Sequence, residues 1–248
     1  MTPPSFLDRN GTALAYRKRE GKGPCIVWLG GFRSDMDGTK AEALDQWCAR
    51  EGRAVLRFDY SGHGLSGGDF LGGTISRWRD DALFMLDRLA DGPAVLVGSS
   101  MGGWIALLLA RMRPERIKGM VLIAPAPDFT EELMWAEMPA AAKVELLEKG
   151  VWQRDSAYDH ERYPITRVLI EDGRENLVLG APIAAAFPVR ILQGMADPDV
   201  PWRHAMRLVE AIEGDVRINL VKHGDHRLST PDDLKLLEQT LSGLMEAM

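Results

Sequence analysis

Three short stretches of this 248-residue chain hold residue types that could do chemistry together: Gly98-Ser99-Ser100-Met101-Gly102, the acidic turn around Asp197, and the run Lys222-His223-Gly224-Asp225-His226. A serine hydroxyl is a weak nucleophile near neutral pH. It needs a neutral imidazole to take its proton and a carboxylate to orient that imidazole. In a Gly-x-Ser-x-Gly pattern the middle residue sits at the tip of a sharp turn, so Ser100, not Ser99, is the candidate nucleophile. Small flanking residues let the chain reverse there and lift the side chain clear. A tetrahedral intermediate also needs donors for its oxyanion. One is the backbone N–H of Met101 at a helix N-terminus, and the second is the N–H of Phe32, after the glycine pair Gly30-Gly31.

The acid and base should follow the serine in that order. His226 is the expected base, because it lies on a longer loop beyond the last strand, whereas His223 follows that strand by only a residue or two and reads as a surface or packing histidine. A metal pair of His223 and His226 has no third ligand of fitting spacing, and a catalytic zinc takes three protein ligands. Asp197 emerges just after an apolar strand and is the expected acid. Asp199 suits a helix N-terminus or a turn, and Asp225 is too close in sequence to orient His226. Asp128 is the remaining geometric alternative, and His63 reads as structural.

These residues need elements to hold them. Asn10-Gly11 is a hairpin turn pair, with an alternating strand after it at 13–19. The wholly apolar run 25–29 suits a central strand buried on both faces, and 54–58, 94–97, 117–124, 189–193 and 216–221 read as further strands. Helical patterns fall between them at 39–50, 75–89, 102–112 and 202–212, with a last helix from Asp232. This alternation predicts an α/β fold with a doubly wound, mostly parallel sheet formed by a single domain over 1–248. The rhythm breaks at about 126–187, a Met-, Trp-, Ala- and Glu-rich region with a helical pattern over 129–148. It reads as an inserted cap whose apolar residues Phe129, Leu133, Met134, Trp135 and Met138 could meet an acyl chain, Trp135 and Met138 being the substrate-binding candidates.

Composition narrows the class. Hydrophobic residues make up 46% of the chain, enough for a sizeable core without staples, and the net charge of −6 argues against a nucleic-acid or anionic-membrane partner. The uncharged stretch 92–110 has the length of a membrane span, but Gly98, Ser99, Ser100, Gly102 and Gly103 interrupt it, so no stable membrane insertion is expected. Two cysteines, Cys25 and Cys48, are too few for a disulfide framework. With no visible export or import leader, reduced thiols give the expectation of a cytoplasmic protein.

With turn, acid and histidine placed, the chain resembles the α/β-hydrolases over essentially its whole length. The runs Met36-Asp-Gly-Thr-Lys40, Arg57-Phe-Asp-Tyr-Ser-Gly62, Gly98-Ser-Ser-Met-Gly-Gly-Trp104, Val200-Pro-Trp202 and Asp225-His-Arg227 are similar to those of the mitochondrial abhydrolase-domain enzymes that act as palmitoyl-protein thioesterases and acyl-glucuronide esterases. The resemblance implies Ser100 as nucleophile, Asp197 as acid, His226 as base and backbone donors at Phe32 and Met101. It departs locally, with Phe32 where that family carries tyrosine and with Pro198-Asp199 after the acid. It implies hydrolysis of a small-molecule ester or thioester, or of an acylated protein, through an acyl-enzyme and without a metal or organic cofactor. The rival for the same fold is a non-catalytic binding protein, against which the intact acid and base speak. Dehalogenase or epoxide hydrolase chemistry would need an aspartate where Ser100 stands.

Overall fold

The computed structural model describes residues 3–155 and 162–248. Its strands are β1 (Ser5–Arg9), β2 (Thr12–Arg19), β3 (Lys22–Leu29), β4 (Arg53–Phe58), β5 (Ala94–Ser99), β6 (Ile117–Ile123), β7 (Val151–Asp155), β8 (Arg162–Thr166), β9 (Ile183–Ala184), β10 (Val189–Gly194), β11 (Ile212–Glu213) and β12 (Val216–Val221). The α-helices are α1 (Thr39–Glu51), α2 (Ile75–Leu89), α3 (Met101–Met112), α4 (Ala140–Lys149), α5 (Arg167–Arg174), α6 (Trp202–Ala211) and α7 (Pro231–Glu246). Eight strands form one sheet in the order β1-β2-β4-β3-β5-β6-β10-β12. The hairpin β1–β2 and the pair β2–β4 are antiparallel, and every other pair in it is parallel. Asn10 and Gly11, both at positive φ, turn the opening hairpin.

The central strands are largely apolar because they are covered on both sides, and successive residues alternate between two separate cores. Ile26 and Trp28 face a layer with Leu44 and Trp47 of α1 and Leu237 and Leu241 of α7. Their neighbours Val27 and Leu29 face the other layer, with Trp78 and Met85 of α2, Trp104 of α3 and Leu208 of α6. Strand β5 repeats the pattern, Val95 and Val97 on one side and Leu96 on the other. The uncharged stretch 92–110 is thus β5, a turn and the wholly buried first three turns of α3. Among the described residues no helix is long and apolar enough to cross a membrane.

Between β6 and β10 the chain leaves the sheet. The single helix expected over 129–148 is instead a π-helical segment, Thr130–Trp135, and a separate α4 that starts after Pro139. Ala136 N–H donates to Glu131 O at 2.9 Å, an i→i+5 bond, and Pro139 stands at the N-terminal cap of α4, where the missing N–H costs nothing. The antiparallel pair β7–β8, the helix α5 and the short pair β9–β11 complete this excursion. Asp128 ties it down, its carboxylate accepting from the N–H groups of Val178 at 2.9 Å and Leu179 at 2.8 Å.

Candidate active site

Ser100 joins the end of β5 to the start of α3 with φ 55° and ψ −118°, a backbone conformation that L-residues avoid unless the surroundings impose it. The surroundings do so. Ser100 N–H donates to Ile123 O at 2.9 Å, and Ser100 O accepts from Gly103 N–H and Ala126 N–H at 2.9 and 3.1 Å. The flanking glycines are required by close approach: a Cβ on Gly98 would lie 2.4 Å from Gly102 O, and one on Gly102 would lie 2.0 Å from Leu29 O. The turn therefore packs α3, β5 and the exit of β3 at backbone distance.

The structure brings the three expected side chains together. His226 Nε2 lies 3.1 Å from Ser100 Oγ, and His226 Nδ1 lies 2.8 Å from Asp197 Oδ2. Asp197 is held by its own turn: Oδ1 accepts from the N–H groups of Asp199 and Val200, both at 2.9 Å. Gln193, a fully buried residue near the end of β10, donates from Nε2 to Asp197 Oδ2 at 3.2 Å. The loop of His226 is shaped by Asp225, whose Oδ1 accepts from Arg227 N–H and Leu228 N–H at 3.0 Å each. Lys40 Nζ donates to the Arg227 carbonyl, and burial pulls the Lys40 ammonium down to about 8. His223 is exposed, and the Asp128 carboxylate is committed to Val178 and Leu179.

The exit of β3 forms the opposite wall. A Cβ on Gly31 would stand 3.4 Å from Ser100 Cβ, so this backbone lies against the serine. Gly31 O accepts from Ser34 Oγ at 2.8 Å and from Ser34 N–H at 3.2 Å. A trans peptide points its N–H opposite to its C=O, so these bonds turn Phe32 N–H away from Ser34. That N–H has no protein acceptor among the described residues. Met101 N–H opens α3, where the first amides of a helix have no intrahelical partner.

Ser100 and His226 open into a cleft of about 520 Å³, a size suited to small molecules. Phe32, Phe129, Leu133, Met134 and Tyr163 give it an apolar wall, and Arg33, Lys40, Arg154 and Arg227 stand along it with Asp35 and Asp199. The two substrate-binding candidates of the excursion are corrected here. Met138 is buried in the core, and Trp135 turns away to lie under Lys143 Nζ and the Arg174 guanidinium, 5.1 and 4.9 Å from its ring. The i→i+5 repeat of the π segment accounts for this, since it sets 129, 133 and 134 on the cleft side and rotates 135 off it.

Asp197, Asp199 and His226 offer atoms within 4.8 Å of one another, as a metal site would. Both Asp197 oxygens already accept hydrogen bonds, and His226 Nδ1 faces one of them, so the set is organised around the imidazole. Sequence reasoning missed Gln193, Lys40 and Tyr163. Gln193 alone left a signal, an uncharged polar residue near the end of a strand and just ahead of the Asp197 turn.

A family model described as serine aminopeptidase, S33, matches residues 26–158, just over half of the chain. Palmitoyl-protein thioesterase ABHD10, mitochondrial, from Homo sapiens is 40% identical over 247 residues, covering 98% of this chain and 80% of that protein. Among solved structures, a protein from Agrobacterium vitis S4 described as a hydrolase superposes with a TM-score of 0.93 at 45% identity, covering 98% of each chain. Alpha/beta hydrolase domain-containing protein 10 from mouse gives 0.92 at 38%, covering 99% of each. The expectation of a cytoplasmic protein is overturned by relatives that are named as mitochondrial. Buried, reduced thiols suit any reducing compartment: desolvation lifts Cys25 to about 11 and Cys48 to about 12, which leaves both inert wherever the protein resides.

Proposed function

The chain belongs to the α/β-hydrolases, in the family described as serine aminopeptidase, S33, and from that premise we propose that it hydrolyses carboxylic acyl esters and thioesters through a Ser100–His226–Asp197 triad and an acyl-enzyme. The observation that carries the reading is the unbroken line of hydrogen bonds from Ser100 Oγ through the imidazole to Asp197, 3.1 and 2.8 Å long, at a strained turn.

In this reading Ser100 Oγ attacks the acyl carbonyl carbon as His226 Nε2 takes its proton, and Asp197 stabilises the imidazolium. The carbonyl oxygen gathers charge between the N–H groups of Phe32 and Met101. The C–O or C–S bond then breaks, and Nε2 returns the proton to the leaving alcohol or thiol. Water repeats the sequence on the acyl-enzyme, releasing a carboxylic acid. Esters and thioesters share the carbonyl on which the donors act, so both are substrates. The excursion over 126–187 acts as a cap within one 1–248 domain and supplies the acyl wall through Phe129, Leu133 and Met134. Palmitoyl-protein thioesterase is the name of relatives at 40% identity, and a long-chain acyl thioester, small or protein-borne, is the substrate this wall suits best.

The test is a fluorophosphonate probe together with a matched acyl ester and thioester. Ser100 should be labelled and both substrates cleaved, while Ser100→Ala and His226→Ala should each lose several orders of magnitude in kcat, with the double variant little worse than either. Labelling that persists in Ser100→Ala would overturn the assignment.

A further inference from the structure

His63 lies in the loop after β4, outside the triad, yet one of its ring nitrogens meets the wall that faces Ser100. Arg33 N–H donates to His63 Nε2 at 3.2 Å, and His63 Nδ1 lies 3.3 Å from Ser61 O. A backbone N–H can only donate and a carbonyl can only accept. The two contacts together require the neutral tautomer with its proton on Nδ1 and a lone pair on Nε2. Burial enforces the same state: the residue is 4% exposed and its imidazolium is disfavoured down to about 4.

Arg33 needs this partner. It is a non-glycine residue at φ 59°, a left-handed conformation that must be over-determined to persist. The ring that holds it is itself fixed, standing edge-to-face against Tyr60, Phe70 and Trp78 with centroids 5.7, 5.2 and 5.1 Å away. Ser61 O, which orients Nδ1, is in turn held by Trp78 Nε1–H at 3.1 Å. The peptide that His63 grips is the one immediately after Phe32, and the phenyl ring of Phe32 packs into the same aromatic group, 5.1 Å from Phe70 and 5.8 Å from Trp78. Gly31 O is pinned on the near side by Ser34. The Phe32 N–H is thus clamped through the carbonyl of its own peptide and through the N–H of the next one.

We infer that neutral His63 is a positioning residue for the oxyanion donor, its Nε2 lone pair locking the strained Phe32–Arg33 peptide so that Phe32 N–H stays aimed at the reacting carbonyl oxygen. This rests on the proposed role of Phe32. His63 does not touch the reacting atoms and transfers no proton; it prevents the donor from swinging away as charge develops. Misplacing such a group by about an ångström costs on the order of 100-fold in rate, and loss of one oxyanion donor costs about 100- to 1,000-fold.

The experiment compares His63→Phe, which keeps a planar ring among the aromatics but has no acceptor, with His63→Gln, whose side-chain oxygen can reach the Nε2 position. Both are assayed on an acyl p-nitrophenyl ester at pH 7.5 beside the native protein and Ser100→Ala, with melting temperatures recorded. His63→Phe should lower kcat by about 10- to 100-fold with KM changed by less than about three-fold, and weaken a trifluoromethyl ketone that forms a tetrahedral adduct by a similar factor. His63→Gln should recover kcat to within about three-fold of native at a melting temperature no higher than that of His63→Phe. Native-like kcat in His63→Phe, a loss confined to KM, or equal losses in both variants with rates that follow melting temperature would overturn the inference. If native protein and Ser100→Ala hydrolyse the ester equally slowly, the serine-hydrolase reading itself fails, and the inference with it. A fully active native protein with an unaffected His63→Phe variant defeats the positioning role alone.

Discussion

Two buried groups in the loop after β4 titrate in opposite directions, and separating them tests whether the loop is held as described. His63 is depressed from 6.5 to about 4 by burial. Its unfolded state binds the proton more tightly, so the stability it contributes is complete above 6.5 and is lost as pH falls toward 4. Between pH 7 and pH 5 that loss amounts to about 2 kcal/mol. Asp59, whose oxygens accept from Met36 N–H at 2.7 Å and Leu65 N–H at 2.8 Å, is raised from 3.8 to about 6, again chiefly by burial. The sign is reversed for it: its contribution is complete below 3.8 and lost as pH rises through 6, so acidification over the same window returns about 1 kcal/mol. The two contributions therefore nearly offset one another in the native protein and must be separated by substitution. Urea unfolding of the native protein, His63→Gln and Asp59→Asn at pH 7 and pH 5 resolves the pair, because a constant offset from each substitution drops out of the difference. Relative to native, His63→Gln should gain about 2 kcal/mol on going to pH 5, or roughly 4 to 8 °C in Tm for a chain of this size, and Asp59→Asn should lose about 1 kcal/mol. Native and His63→Gln curves that stay parallel would refute a histidine kept neutral by burial.

Asp197→Asn should cost on the order of 10⁴ in kcat at nearly unchanged Tm, whereas Asp128→Asn should keep kcat within a few-fold and lower stability by about 1–3 kcal/mol through the loosened Val178 and Leu179 amides. Steady-state kinetics with thermal melts on both would expose a misassigned acid if the losses were exchanged. Gly102→Ala puts a methyl 2.0 Å from Leu29 O and should cost at least about 1–3 kcal/mol along with most activity. Gly243→Ala, with nothing within 4 Å on the exposed side of α7, should be stabilising by up to about 1 kcal/mol, and melting both variants checks the pair. Across a series of acyl thioesters each buried methylene should raise kcat/KM by about four-fold, a slope that Phe129→Ala and Leu133→Ala should flatten and Trp135→Ala should not.

The sheet was legible because its central strands are covered on both faces, which leaves uninterrupted apolar runs such as Cys25–Leu29 that only a buried strand or helix can use. The pair β7–β8 was not, since Val151–Asp155 puts the charged Arg154 and Asp155 on opposite faces and Arg162–Thr166 holds a proline at its centre, so no two-residue alternation of apolar residues survives in them. The stretch 129–148 misled for a different reason. Its apolar spacing fits a 3.6-residue period, but one π turn and Pro139 shift the phase, and that shift is enough to send Trp135 out of the cleft while Phe129, Leu133 and Met134 stay in it.

The same distinction separates the chemistry of the site from its selectivity. Ser100 could be read from a pentapeptide because the turn imposes glycine on both sides of it: a Cβ on Gly98 or Gly102 would strike backbone, so the pattern records a steric necessity. Asp197 and His226 follow from where strands β10 and β12 end, another consequence of backbone topology. His63 records no such necessity. Its hold on Arg33 joins residues thirty positions apart through a single lone pair, and a histidine elsewhere in the loop would leave the same composition. In the proposed reaction, the attack on an acyl group is thus written in local backbone constraints, whereas the aim of the proposed oxyanion donor and the fit of the acyl chain are written in side-chain contacts between distant loops. Substitutions at the first kind of position should abolish turnover, and substitutions at the second should regrade it, which is why the His63 and Phe129 variants carry more information about this enzyme than the loss of its nucleophile.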